Sequence, residues 1–204
     1  MCKPVCYKQD KKLLVEIHRN GDIIMKDAIA NSLIKLMNEH AYHEITITMI
    51  CREVPVSRTA FYRYFSGKDS ILKYCVIRDY EKKCLPIFRF HLKEIGTACF
   101  FSYIIESADF YRRLYDIDQG RLLMQCLKTA YRVGFERRDE YSLPSSKKVS
   151  GFDPEVFFEY ACTGIAAVVT TWIKNGMKRP VDQMAKDLYV MMSEPLGDVR
   201  DKYT

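Results

Sequence analysis

Pro55 stands between two short apolar patterns of helical spacing, and it limits what residues 46–65 can fold into. Proline has no amide hydrogen and its ring fixes φ, so a helix continued through it would lose a bond and meet a steric clash. Before the proline, Thr46 or Thr48 can cap a short helix that turns Ile50, Cys51 and Val54 inward. After it, Ser57 is placed to cap another helix. In that helix Phe61 and Phe65, one turn apart, face inward while Thr59, Tyr62 and Arg63 lie on other faces. A short helix, a tight turn and an aromatic helix make a helix-turn-helix.

The remaining chain reads as helix in nearly every apolar stretch. Ala28, Ile29, Leu33, Leu36 and Met37 recur at helical spacing, which predicts a helix from Met25 to about His40 with Asp22 as its cap. Residues 1–22 read as a mixed leader in which Asn20-Gly21 either closes a small hairpin or forms a loop before that helix. After SGKD at 66–69, helices are expected over 70–84, bounded by Pro86, and over 87–95, 97–106, 108–115 and 118–138. The polar stretch 139–154 reads as a loop. A long helix then runs from Pro154, in its first turn, to Asn175, with Gly176 as its stop, and a last one runs over 181–192. Strand alternation is scarce. The expected fold is all-α, a three-helix head over 23–71 joined to a helical bundle over 72–204.

A formal charge of +6 permits an acidic partner without identifying one, so its location matters more. Between Ile45 and Lys68, four cations (Arg52, Arg58, Arg63, Lys68) face the single anion Glu53. The stretch SRTAFYRYFSGK, 57–68, sets phenol hydroxyls and guanidinium groups together behind a serine, where a polyanion can meet them. The 8 cysteines include no CxxC pair and read as buried free thiols. The start, MCKPVCYKQDKK, lacks the apolar run of a signal peptide. The longest uncharged run, Tyr160 to Ile173, is shorter than the roughly 20 residues of a bilayer span. A cytoplasmic protein without a membrane segment is expected. No HExxH, GxSxG, P-loop or GxGxxG is present, and His40 and His43 beside a helix end read as a solvated pair, so no enzyme, cofactor or metal site is expected.

The stretch TITMICREVPVSRTAFYRYFSGKDSIL resembles the DNA-binding head of TetR-type transcriptional repressors, over about Ile24 to Leu72. Its most specific part is VSRTAFYRYF followed by Lys68. Far downstream, FFEYACTGIAAVVTTWIKNGMKRPVDQMAKDL is similar to the last two helices of many such regulators. One departure stands out. The family's turn usually reads Ala-Gly-Val-Ser, and here it reads Val54-Pro55-Val56-Ser57; proline cannot reach the positive φ that glycine offers, so the turn must take another shape.

The resemblance implies a dimeric repressor on a palindromic double-stranded DNA operator, released by a small ligand. Helix-turn-helix proteins place the N-terminal part of the second helix against base edges, and Arg58, Thr59 and Ala60 fill that part behind Ser57. Thr48, Tyr62, Tyr64 and Lys68 match the family's phosphate-contacting positions, and Arg63 reads either a base or a phosphate. For the homodimer, Gly164 and Ala167 are small residues that admit another helix, with Trp172, Met184, Leu188 and Met191 adding apolar area. For a small apolar or aromatic ligand, Phe100, Tyr103, Phe110, Tyr111, Tyr131, Phe157 and Tyr160 are the candidate lining. Two rivals stand beside this reading: a fold relative that acts through protein interaction, or a constitutive regulator without ligand control. Thiol sensing by Cys51 in the head, or by Cys2 and Cys6 in the leader, is a further idea.

Overall fold

The computed structural model describes residues 6–89, 93–138 and 153–193. They form helices α1 (Cys6–Glu39), α2 (Ile47–Glu53), α3 (Arg58–Tyr64), α4 (Lys68–Lys83), α5 (Leu85–Arg89), α6 (Lys93–Glu106), α7 (Ala108–Asp116), α8 (Arg121–Arg138), α9 (Pro154–Lys174) and α10 (Val181–Ser193). No strand occurs among the described residues, so the all-α class holds. By its internal contacts the chain divides into two units, Met1–Ile71 and Leu72–Thr204.

In the first unit, α1 turns Ile29, Ala30, Leu33, Leu36 and Met37 into the core, the spacing of one helical face. Ile45, Ile50, Phe61, Phe65 and Ile71 complete it. Each of these isoleucine, leucine, methionine and phenylalanine side chains contributes about 1.5–3 kcal/mol when fully buried. Phe61 and Phe65 lie with ring centres 6.2 Å apart, so the inward seam of α3 is continuous.

The region around Asn20-Gly21 is neither hairpin nor loop: α1 runs through it without a break. A two-residue hairpin turn of Asn-Gly type needs positive φ at both central residues, and Gly21 takes none. Once a helix is nucleated each added residue contributes one further backbone bond, so a single glycine weakens the helix by about 1 kcal/mol without ending it. Residues 1–5 of the leader lie outside the described residues.

In the second unit α8 pairs extensively with α9, and α6 with α10. Pro86 lies just beyond the end of α4 at Lys83, as expected, and sits second in α5, where its missing N–H is no loss. The expected helix 118–138 starts later, at Arg121, because Gln119 and Gly120 take φ of 59° and 88° and Asp118 Oδ1 accepts from the Leu122 amide at 2.9 Å. Asp153 caps α9, its side chain accepting from the Glu155 amide. The loop expected over 139–154 falls outside the described residues up to 152.

The far end of α9 is closed by a Schellman motif. Met177 N–H donates to Trp172 O and Gly176 N–H to Ile173 O, both at 2.9 Å, with Gly176 at φ 76°. Met177 and Trp172, at the two positions whose apolar contact often accompanies that motif, are both buried. In α8, Gly134 is held to its identity by Tyr80: a Cβ at Gly134 would lie 2.5 Å from the Tyr80 ring.

Two glycine substitutions are expected to move stability in opposite directions, read by urea unfolding followed by circular dichroism. Gly134→Ala forces Tyr80 aside and costs about 1–3 kcal/mol. Gly21→Ala, with open space around its Cβ, gains up to about 1 kcal/mol; a loss there would show a turn in place of a helix.

Candidate nucleic-acid interface

The start of α3 is built by one hydroxyl. Ser57 sits in extended conformation (φ −71°, ψ 155°) and its Oγ accepts from the Ala60 amide at 3.1 Å. That bond satisfies one of the four amides a helix start leaves without partners. The preceding turn is a three-residue one: Val56 N–H donates to Val54 O at 2.5 Å across Pro55. This is the bond pattern of a γ-turn, whose inverse form needs φ near −75° at its centre, close to what a proline ring imposes. The turn thus reaches its bend without glycine.

With Phe61 and Phe65 inward, the rest of α3 faces out. Arg58, Thr59, Tyr62 and Arg63 are exposed, and Ala60 and Tyr64 are half-buried. Tyr62 keeps 50% of its surface free while its ring meets the edge of Phe61 at 5.4 Å, so its body is anchored and its hydroxyl presented. The Arg63 guanidinium lies 5.9 Å from the Tyr64 ring centre. At the start of α2, Thr46 accepts from the Met49 amide at 3.2 Å, which resolves the cap in favour of Thr46. Thr48 is left exposed in the first turn.

Lys68 is placed differently from a projecting phosphate ligand. Its ammonium donates to Tyr42 O at 2.7 Å and Ile45 O at 2.6 Å, and it stands 4.4 Å from the centre of the Tyr42 ring. Burial lowers its pKa, and the Asp69 carboxylate works against that shift. Tyr42, which the sequence reading passed over, also donates its hydroxyl to Asp69 at 2.5 Å. Its sequence signal is an aromatic in the short connector AYHEI, 41–45. Cys51 is no activated thiol: burial pushes its pKa up, only partly offset by Arg58.

In the second unit the expected ligand lining is largely core. Phe100, Tyr111 and Tyr131 are buried, with Tyr80, Phe100 and Tyr131 meeting edge to face at 5.5–5.7 Å. Tyr103 donates to Asp79 and is half-buried, and Phe110 meets the edge of Tyr111 at 5.3 Å. Tyr160 points away, 64% exposed, and the Phe157 side chain lies outside the described residues. The hydroxyls of Tyr111 and Tyr131 are buried without a hydrogen-bond partner, and burial holds both phenols far above their usual pKa.

The expected dimer residues divide in a similar way. Trp172, Met184 and Leu188 are already buried within the single chain. The Trp172 ring meets Phe101 edge to face at 5.0 Å and its N–H donates to Arg179 O at 3.0 Å. Met184 and Leu188 are core because α10 packs on α6. Gly164 and Met191 stay exposed and Ala167 half-buried. Ala167, Val168, Thr171 and Trp172 line an open groove of about 570 Å³ with Met184, which includes none of the expected ligand residues. No helix among the described residues is long and apolar enough to cross a membrane, and no metal-ligating cluster forms among them.

The family model for bacterial regulatory proteins, tetR family, matches residues 29–75, and one for a transcriptional regulator C-terminal region matches residues 94–194. The HTH-type dhaKLM operon transcriptional activator DhaS of Lactococcus lactis subsp. lactis (strain IL1403) is 25% identical over 104 residues, 51% of this chain. The match spans only 56% of that relative's own length. The solved structure of a dihydroxyacetone kinase operon activator DhaS superposes with a TM-score of 0.53 at 18% identity, covering 83% of this chain and 94% of that one. It shares the fold. A fatty acid degradation regulator, FadR from Bacillus halodurans, aligns with a TM-score of 0.47 at 15% identity, over 84% of this chain and 95% of that one.

Ser57 can be tested for its two roles at once. Ser57→Ala is expected to cost about 1 kcal/mol in urea unfolding through the lost cap. Ser57→Asp restores a capping oxygen, so it keeps stability, while its negative charge at the start of α3 weakens DNA binding in a gel-shift titration.

Proposed function

The chain belongs to the tetR family of bacterial transcriptional regulators, and from that membership we propose that it grips a palindromic operator as a homodimer, with α3 in the major groove. Arg58 forks onto a guanine, a contact worth about 1–3 kcal/mol of discrimination, and Thr59 and Ala60 meet thymine methyls. Thr48, Ser57, Tyr62 and Tyr64 touch phosphates, which set register without reading sequence, and Arg63 serves a base or a phosphate. The observation that carries this reading is the capped start of α3, with Arg58, Thr59, Tyr62 and Arg63 all exposed above two buried phenylalanines.

One head makes too few contacts for selective binding, so two are needed on a two-fold axis. The pairing face is the outer side of α9. Val156 and Tyr160 are 62% and 64% exposed there, and Gly164 and Ala167 continue the same stripe into the apolar groove. Tyr160 thus moves from the ligand reading to the dimer reading.

Repression, relieved by a small ligand in the helical body, is the mode the family usually uses. The unpartnered hydroxyls of Tyr111 and Tyr131 support a ligand that brings oxygen acceptors, since an unmet buried donor costs about 1–3 kcal/mol. Such a ligand acts only by favouring the body shape that misplaces the heads. The similarity to a relative named as an operon activator favours a second reading, in which the bound dimer activates its operon.

Selection of bound duplexes from a random pool is expected to yield a palindrome. On that duplex Arg58→Ala loses about ten- to a hundredfold in affinity while binding to random DNA changes far less; equal losses on both would remove Arg58 as a base reader. Ala167→Glu is expected to halve the mass in sedimentation while keeping the helical circular dichroism, and to abolish selective binding.

A further inference from the structure

The corner between α1 and α2 is held from outside itself. Residues 41–44 close a turn, with Glu44 N–H donating to Ala41 O at 3.0 Å and the Glu44 carboxylate accepting from the Ala41 amide at 3.1 Å. With Ile45 buried in the core, the corner is also tied to the first turn of α4. The Lys68 ammonium takes the carbonyls of both Tyr42 and Ile45, and Asp69 takes the Tyr42 hydroxyl. Tyr42 is thereby fixed at three points, its carbonyl and ring face by Lys68 and its phenol by Asp69. Ile45, whose carbonyl is the second acceptor, directly precedes Thr46, the cap of α2. Thr48, the exposed threonine of that first turn, is therefore placed by a chain of contacts that begins at Lys68.

We propose that Lys68 is a positioning residue for DNA binding, which locks the 41–45 corner so that the start of α2 and Thr48 meet the phosphate rail, and that it is not itself a phosphate ligand. This rests on the DNA-binding reading above. The chemistry of the contact explains the residue type. A lysine offers several rotatable donors on a compact charge, which suits two carbonyls converging from one side, whereas the planar fork of arginine suits paired oxygens of a carboxylate or phosphate. The two roles therefore predict opposite results for the charge-conserving substitution.

The test uses the full chain and a palindromic duplex taken from the random pool, with the salt dependence of affinity as the readout. Each phosphate neutralised by a cation contributes about 0.9 to the slope of log affinity against log salt, so a dimer losing two such ligands loses about 1.8. For Lys68→Met the expectation is at least a tenfold loss of affinity with a slope that stays within about 0.5 of the parent. Lys68→Arg does not rescue it. Tyr42→Phe, which leaves the Lys68 charge in place, also weakens binding several-fold at unchanged slope. Amide resonances of Tyr42, Ile45, Thr46 and Met49 shift in Lys68→Met even without DNA, so the clamp is judged separately if the parent binds no palindrome. A slope reduced by about 1.8, full rescue by arginine, or unmoved corner resonances would each overturn the proposal.

Discussion

A helix of seven residues has no stability of its own in water, so α3 exists because Phe61 and Phe65 are buried. Everything the head offers to a partner depends on that seam. The two rings fix the rotation of α3 about its axis, and the rotation decides that Arg58, Thr59, Tyr62 and Arg63 face outward. Tyr62 shows the coupling most directly, since its ring leans on Phe61 while half its surface stays free. An aromatic at that position supplies packing and a presented hydroxyl together, which charge alone would not.

Around that seam the ends of the short helices are closed by local chemistry. Thr46 caps α2, Ser57 caps α3, and the turn between them bends through a bond across Pro55. Proline in place of the glycine more usual in this family does not unmake the motif. A γ-turn bends the chain at the negative φ that proline already holds, so the turn changes type while α3 keeps its cap and its inward face.

The second unit has a different economy. Its aromatics fill the core by edge-to-face contact, and Gly134 is the small residue that lets Tyr80 lie against α8. The hydroxyls of two phenols in this core, Tyr111 and Tyr131, meet no protein acceptor or donor, and an unmet buried hydroxyl is costly. Meanwhile α9 divides its residues by face. Cys162, Ile165, Ala166, Val169 and Trp172 go inward, and Val156, Tyr160 and Gly164 remain outside.

What the sequence by itself determined is what a few neighbouring residues decide. The cap at Ser57, the break at Pro55, the first-turn place of Pro154, the stop at Gly176 and the inward pair Phe61 and Phe65 all depend on chemistry within about one turn of helix. The all-α class and the exposed face of α3 followed from the same local rules. Tertiary structure alone decided the fate of side chains whose partners are far away in sequence. Lys68 meets carbonyls 26 and 23 residues upstream, so spacing could show its charge but not where that charge is held. Trp172, Met184 and Leu188 are apolar at helical spacing whether they face their own core or another chain, and only the packing of α9 and α10 within the body tells the two apart. Periodicity reports that a face is apolar; it carries no information about what covers it.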